Sequence, residues 1–310
     1  MTTTLTLRSP EDLLAAAPVV LGFVPTDSVV MFTFGAASCF HARVDLPGPG
    51  DDVAGCIDAL LDPCLRHGVG RVLFLLYSEH PRPVDRMARQ LIRSFRDAGI
   101  EVIDALRADG RRWFPLLRSR RSAPASGVPY DVSTHPFAAE SVFNGRVTHG
   151  SRADLEATVA ADPRAVARLQ ALERSSAPAW PGWLPAAVAG HVAAGSVPDD
   201  DEALSLLAGL DDIGARDATL GLLRRDNAEA HVDLWADLLR RAPDDLVAPA
   251  ATLLGFAAWL SGNGALAWCA LDRCFAADPG YRLAQHLSNA LTRAVPPSLW
   301  EEVTGMGDPA

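Results

Sequence analysis

Apolar positions change their period once along this chain. Up to about residue 150, short apolar runs alternate with helical stretches; beyond it every apolar pattern is helical. Ser9-Pro10-Glu11-Asp12 predicts a helix start, because a serine can cap free amides, proline fits the first helical position and acids suit the positive helix end. That helix should stop between Pro18 and Gly22. Ser28 to Phe34 is β-branched and aromatic, hence a strand, and Cys39 to Leu46 alternates well enough to be a second. The two predict an antiparallel hairpin. A helix from Asp51 to about His67 ends at Gly68. Arg71 to Tyr77 is almost continuously apolar, the mark of a strand covered on both faces. A helix from Val84 to Ala98 and a strand from Ile100 to Leu106 complete a β-helix-β-helix-β order.

Regularity weakens from Ala108 to Gly150. Arg111 to Phe114 suggests one more strand or hairpin, Ser122 to Pro136 a loop, and Phe137 to Phe143 a short helix. Helical periodicity then fills segments near 152–174, 183–195, 200–209, 213–225, 228–241, 246–260, 264–277 and 280–293. The expected architecture is an α/β domain over residues 1–150, with a mixed sheet, an antiparallel hairpin and helix crossovers. An all-α domain of helical hairpins follows over residues 151–310. A length of 310 residues suits two domains.

Two resemblances add to this. Leu254-Gly255, Gly262, Ala267, Leu271 and Pro279 are spaced in a way that resembles a tetratricopeptide repeat, in which small residues let two antiparallel helices approach. Cys274 replaces the usual alanine and Ala258 stands where an aromatic is common. Leu220-Gly221 lies 34 residues before Leu254-Gly255, one period back, but that earlier unit has Asp233 at the small position and Pro243 out of place. Along most of the chain, LRSPEDLLAA with Leu21-Gly22-Phe23 and Pro25, then Arg43-Val44-Asp45-Leu46-Pro47, and later Ala138-Ala139-Glu140 with Gly145-Arg146-Val147, resemble an uncharacterised actinobacterial family of unknown function. That resemblance implies no activity. Members often carry cysteines after the aromatic pair matched by Trp113-Phe114; here the stretch reads LLRSRRSAPAS.

Charge narrows the function classes. The chain has 38 acidic residues against 28 basic ones, a formal charge of -10, which on average repels phosphate backbones and makes nucleic acid an unexpected partner. Every basic residue is arginine, which excludes Schiff-base and P-loop lysine chemistry. Neither GxGxxG nor GxxxxGK[ST] occurs, so no cofactor is expected. Five cysteines without a CxxC predict neither a disulfide framework nor a zinc site, and no metal. The first residues lack the basic start and apolar stretch of a secretion signal, and no apolar run is long enough for a bilayer, so the expected setting is the cytoplasm without a membrane.

Ligands of open α/β sheets bind beyond the strand carboxyl ends. There Ser78, Glu79 and His80, with Asp45 from the second strand, have the types needed for nucleophile, base and orienting carboxylate. The alternative is a helix-capping loop. His135 and Glu140, with Asp131 and Asn144, form a second set that could bind a metal or act as acid and base, though no standard metal spacing supports it; the alternative is that they tie down a loop. Arg111, Arg112, Arg118, Arg120 and Arg121 beside Trp113 form a basic concentration that could hold nucleic acid, or equally an acidic protein surface. Trp259, Trp268 and Arg282 are the candidate partner-binding residues of the helical half. The leading expectation is an interaction or scaffold protein that binds a protein partner, or itself, through the helical domain. The alternative is an enzyme or small-ligand binder at the strand ends. A third reading is nucleic-acid binding through Arg111 to Arg121.

Overall fold

A computed structural model describes residues 7–36, 39–48, 50–117, 124–143, 145, 147–172, 180 and 182–303. Among them lie a mixed sheet and an array of helices. The chain divides into two compact units, Met1–Arg152 with Thr292–Ala294, and Ala153–Leu291 with Val295–Ala310.

The first unit opens with α1 (Pro10–Leu21). Its start is a reciprocal cap: Ser9 Oγ accepts from the Asp12 amide, and Asp12 accepts from that of Ser9. Gly22, at φ 77°, ends it in the left-handed conformation. β1 (Ser28–Phe34) and β2 (His41–Asp45) form the hairpin, with Ser28 opposite Asp45 and Val30 opposite Arg43. α2 (Val53–Arg66) leads to β3 (Arg71–Tyr77), which pairs antiparallel to β1. α3 (Pro81–Asp97) crosses to β4 (Glu101–Ala108), parallel to β3. β5 (Arg112–Pro115) and β6 (Val128–Pro129) extend the sheet antiparallel, so the order is β2-β1-β3-β4-β5-β6.

Alternation along the strands sends two sets of side chains to opposite faces. One face carries Val29 and Met31 of β1, Val72, Phe74 and Leu76 of β3, and Val102 and Ala105 of β4. These pack with Ile57, Leu60 and Cys64 of α2 and Val84, Met87, Leu91 and Phe95 of α3. The other face carries Val30, Phe32, Leu73, Leu75 and Leu106, also buried. α1 lies on this second side: the Trp113 indole donates to Glu11 (3.2 Å), and the Arg43 guanidinium stands 5.7 Å from the Phe23 ring. Both faces of β3 are therefore covered, as its unbroken apolar run required. A register shift at Val72/Leu73 leaves Ile103 outside the β3–β4 pairing and 44% exposed. The segment expected to be wholly loop contains β6, because Arg112 donates to the carbonyls of Ser126 and Gly127 (3.1 Å each) and draws that strand alongside β5. A short helix, α4 (Pro136–Phe143), follows, and Phe23 and His149 form a parallel bridge.

The second unit is helical among the described residues: α5 (Arg152–Thr158), α6 (Pro163–Ala171), α7 (Trp183–Ala194), α8 (Asp200–Gly209), α9 (Ile213–Leu220), α10 (Ala228–Arg241), α11 (Val247–Leu260), α12 (Gly264–Ala277), α13 (Arg282–Thr292) and α14 (Ser298–Val303). The single helix expected over 152–174 is two. Asp162 accepts from the amides of Arg164 and Ala165 and caps a new helix that Pro163 begins. α14 was not anticipated either. Its Trp300 packs 5.3 Å from Phe256 and donates to the Leu223 carbonyl, contacts from distant parts of the chain.

α11 is apolar on every side and all 14 of its residues are buried. Gly255 in its middle admits close neighbours: a methyl there would meet Leu287 Cδ2 at 2.9 Å, with the Ala267 carbonyl at 3.7 Å and Ala270 Cβ at 3.9 Å. Gly255→Ala should be nearly neutral, since the helix gains about 1 kcal/mol of propensity while only the tip of Leu287 must move. Gly255→Val should cost about 1–3 kcal/mol by overpacking. Urea titration of the two variants checks the ordering; equal stability would mean that α11, α12 and α13 do not meet closely at this point.

Candidate functional site

β3 and β4 run parallel, so their carboxyl ends and the start of β1 meet at one edge of the sheet. Ser78 follows β3 there. It is buried and its hydroxyl donates to Asp27 Oδ1 (2.8 Å) while accepting from the His80 amide (3.2 Å). Its carbonyl accepts from Arg107 (3.4 Å), whose guanidinium carbon stands over the Phe114 ring at 3.8 Å from its centroid. Asp27 has φ 38°, a left-handed conformation that aspartate tolerates better than most residues. This is a polar hub that fixes the strand ends. Glu79 and His80 are exposed beside it, and His80 precedes α3 without a side-chain capping bond. The Asp45 side chain is 78% exposed and pairs with Arg43 at 2.6 Å. Ser78 bonds an aspartate that sequence reasoning passed over, at a separation of 51 residues, and uses a backbone amide rather than an imidazole. Nearby, on the second face of the sheet, Ser28 Oγ and Tyr77 OH are buried without a hydrogen-bond partner among the described residues, and burial pushes the Tyr77 phenol far up.

His135 is also built into the fold. Its Nδ1 accepts from the Phe137 amide (3.3 Å), so the ring proton sits on Nε2, which donates to Asp12 Oδ1 (3.1 Å). Backbone amides of Arg8 and Ser9 hold the Asp12 carboxyl below the usual carboxylate range, helped by His135. With both ring nitrogens occupied, His135 ties α4 to the start of α1. Glu140 is exposed on α4 and makes no bond to His135 among the described residues. Asn144 lies outside the described residues.

Of the basic concentration, Arg111 is exposed and Arg112 holds the β6 loop; Arg118, Arg120 and Arg121 lie outside the described residues. In the helical unit, Trp259 is buried, its indole donates to the Val295 carbonyl (3.2 Å), and its ring packs with Phe256 and Trp300. Trp268 is half-buried on α12, and Arg282 is exposed at the start of α13. Among the described residues no three His, Cys, Asp or Glu side chains stand together as metal ligands. No helix of the described residues is long and apolar enough to cross a membrane. Burial raises the thiol of Cys64 to about 12 and that of Cys274 to about 11, which keeps both protonated and unreactive.

The feature that sequence reasoning missed is on α3. Arg82, Arg86, Arg89, Arg93 and Arg96 follow one another at intervals of four, three, four and three residues. At 3.6 residues per turn they fall within an arc of about 80° and span about 21 Å. They stand opposite Val84, Met87, Leu91 and Phe95, which bury α3 on the sheet. All five are exposed, and none forms an ion pair among the described residues; Arg89 Nε donates only to the Asp85 carbonyl. Beside the ridge lies an open hollow of about 460 Å³. Arg89, Ile92, Arg93, Arg96 and Asp97 of α3 line it together with Leu116 and Leu117, which follow β5. The spacing was readable in the sequence, but the helix had been recognised from its apolar positions and the polar ones were not read.

A mixed-sheet α/β unit and a unit that is helical among the described residues, with a basic ridge on a crossover helix, define the class of molecule. The family model described as "Domain of unknown function (DUF4192)" matches residues 10–298, and the chain belongs to that family. No curated protein and no solved structure matches it.

Proposed function

We propose that the protein is an interaction protein that holds an anionic partner against the outer face of α3. The ridge supports the reading. Five guanidinium groups in line, with no ion pair among the described residues and on a chain of net charge -10, keep a concentrated positive field that intramolecular carboxylates would otherwise neutralise. The tetratricopeptide-like reading of α11 and α12 accounts for their close packing. It does not supply a groove, because a helix that lines a groove keeps a bare face and α11 is buried throughout. The binding surface of this proposal is therefore on the α/β unit rather than the helical one. The buried thiols of Cys64, Cys269 and Cys274 fit a reducing compartment, so the proposal sets the protein in the cytoplasm.

The test uses the full chain and fluorescent polyglutamate. Wild type should bind at low ionic strength and release the probe as salt rises. The triple variant Arg86→Glu, Arg89→Glu, Arg93→Glu should bind at least about tenfold more weakly, since six small exposed-pair increments are reversed. Its urea midpoint should stay close to wild type, because the three side chains face water. Equal binding by the two proteins, or none by wild type, overturns the reading.

A further inference from the structure

The ridge has a period, and the period carries information about its occupant. Intervals of four, three, four and three residues average 3.5, the heptad spacing that keeps one face of a helix against a neighbouring helix along its length. A partner helix with carboxylates at the same spacing would set one beside each guanidinium from Arg82 to Arg96. The hollow beside the ridge adds a second requirement. Ile92, Leu116 and Leu117 are half-buried and give it an apolar side, and its volume of about 460 Å³ admits at least one large apolar side chain. We infer that the α3 ridge docks an acidic amphipathic helix of a protein partner, with its carboxylates along the arginines and a leucine-sized side chain in the hollow; this rests on α3 being the binding surface proposed above.

Two observations favour a helix over a nucleic acid. Among the described residues no aromatic side chain lines the ridge or the hollow, so bases have nothing to stack on, and a phosphate backbone has no apolar group to place against Ile92, Leu116 and Leu117. α3 itself carries five arginines against Asp85 and Asp97, whereas the whole chain is at -10. A helix of about 21 Å stays on the ridge.

Binding of four labelled probes to the full chain, by fluorescence anisotropy at moderate salt, tests this. They are a 21-residue peptide with glutamates at heptad spacing and one flanking leucine, its Leu→Ala form, a scrambled peptide of the same composition, and a 20-nucleotide DNA. The leucine peptide should bind tightest and gain helical circular dichroism on binding. Its Leu→Ala form should bind about tenfold more weakly, the worth of one buried aliphatic side chain. The scrambled peptide should lose as much, and Arg86→Glu with Arg93→Glu should remove binding of all the peptides. Ile92→Ser should reproduce the loss seen with Leu→Ala, and the change on the peptide side keeps the test free of folding effects. Equal binding of the leucine, alanine and scrambled peptides would overturn the helix inference and leave an anionic docking surface standing. Tighter binding of DNA would replace the protein partner with a nucleic acid. No binding by any probe would remove both readings.

Discussion

Phe74→Ala should cost about 3–5 kcal/mol of stability, the usual range for emptying a buried phenylalanine site. Phe74 is fully buried at the middle of β3, where β1 pairs on one side with Met31 opposite and β4 on the other with Ala105 opposite. Its ring meets Phe95 of α3 edge-on, at 5.0 Å between centroids and 82° between planes. Three strands tied by backbone hydrogen bonds cannot close over the space that the ring leaves, so the transfer loss and the cavity cost add. Phe143→Ala is the matched control. That ring is 90% exposed at the end of α4, and its loss should stay within about 0.5 kcal/mol. Urea unfolding followed by far-ultraviolet circular dichroism measures both. A loss below 1 kcal/mol for Phe74→Ala would mean that this face of the sheet is not packed as described.

The second large effect is acid sensitivity at His231. This residue of α10 is 1% exposed, its Nδ1 has no hydrogen-bond partner among the described residues, and burial lowers its pKa to about 4 from the ordinary 6.5. In the unfolded chain it takes up a proton as pH falls below 6.5, while the folded protein resists until about 4. The unfolded state binds more protons in that window, so stability falls as pH falls through it and levels off below. The full difference is about 3 kcal/mol, at 1.36 kcal/mol per unit. Carboxylates held low, such as Asp12 and Asp200, add their own acid loss at lower pH. The variant His231→Gln isolates the histidine. Between pH 7 and pH 4.5 wild type should lose about 2–3 kcal/mol more than the variant. Parallel urea midpoints for the two proteins would show that His231 is not held neutral.

Much of the fold was legible because each element announces itself locally. The Ser9 cap, the unbroken apolar run of β3 and the glycine ends of helices act through groups a few residues apart, and each was placed within a few positions. The elements that escaped depend on remote partners. β6 exists because Arg112 holds it, and α14 because Trp300 finds Phe256 and Leu223. The Asp162-Pro163 break escaped although its signal was local. The candidate sites follow the same division. Ser78 is a nucleophile candidate by type, but its partner Asp27 comes from the turn before β1, the strand antiparallel to β3. The residues of the hydrogen-bonded His135 pair were in view, yet not that both ring nitrogens would be occupied.

By itself the sequence determined that a sheet-bearing half precedes a helical one, and that α3 carries arginines on the side away from its apolar residues. Only the tertiary structure decided that those arginines stand without carboxylate partners among the described residues and beside a hollow partly lined by Leu116 and Leu117. It also decided that α11 is a core helix with no outward face. The physical reason is range. Periodicity and capping are set by neighbours along the chain, whereas burial and ion pairing are set by whatever folding brings alongside, and those partners are tens of residues away.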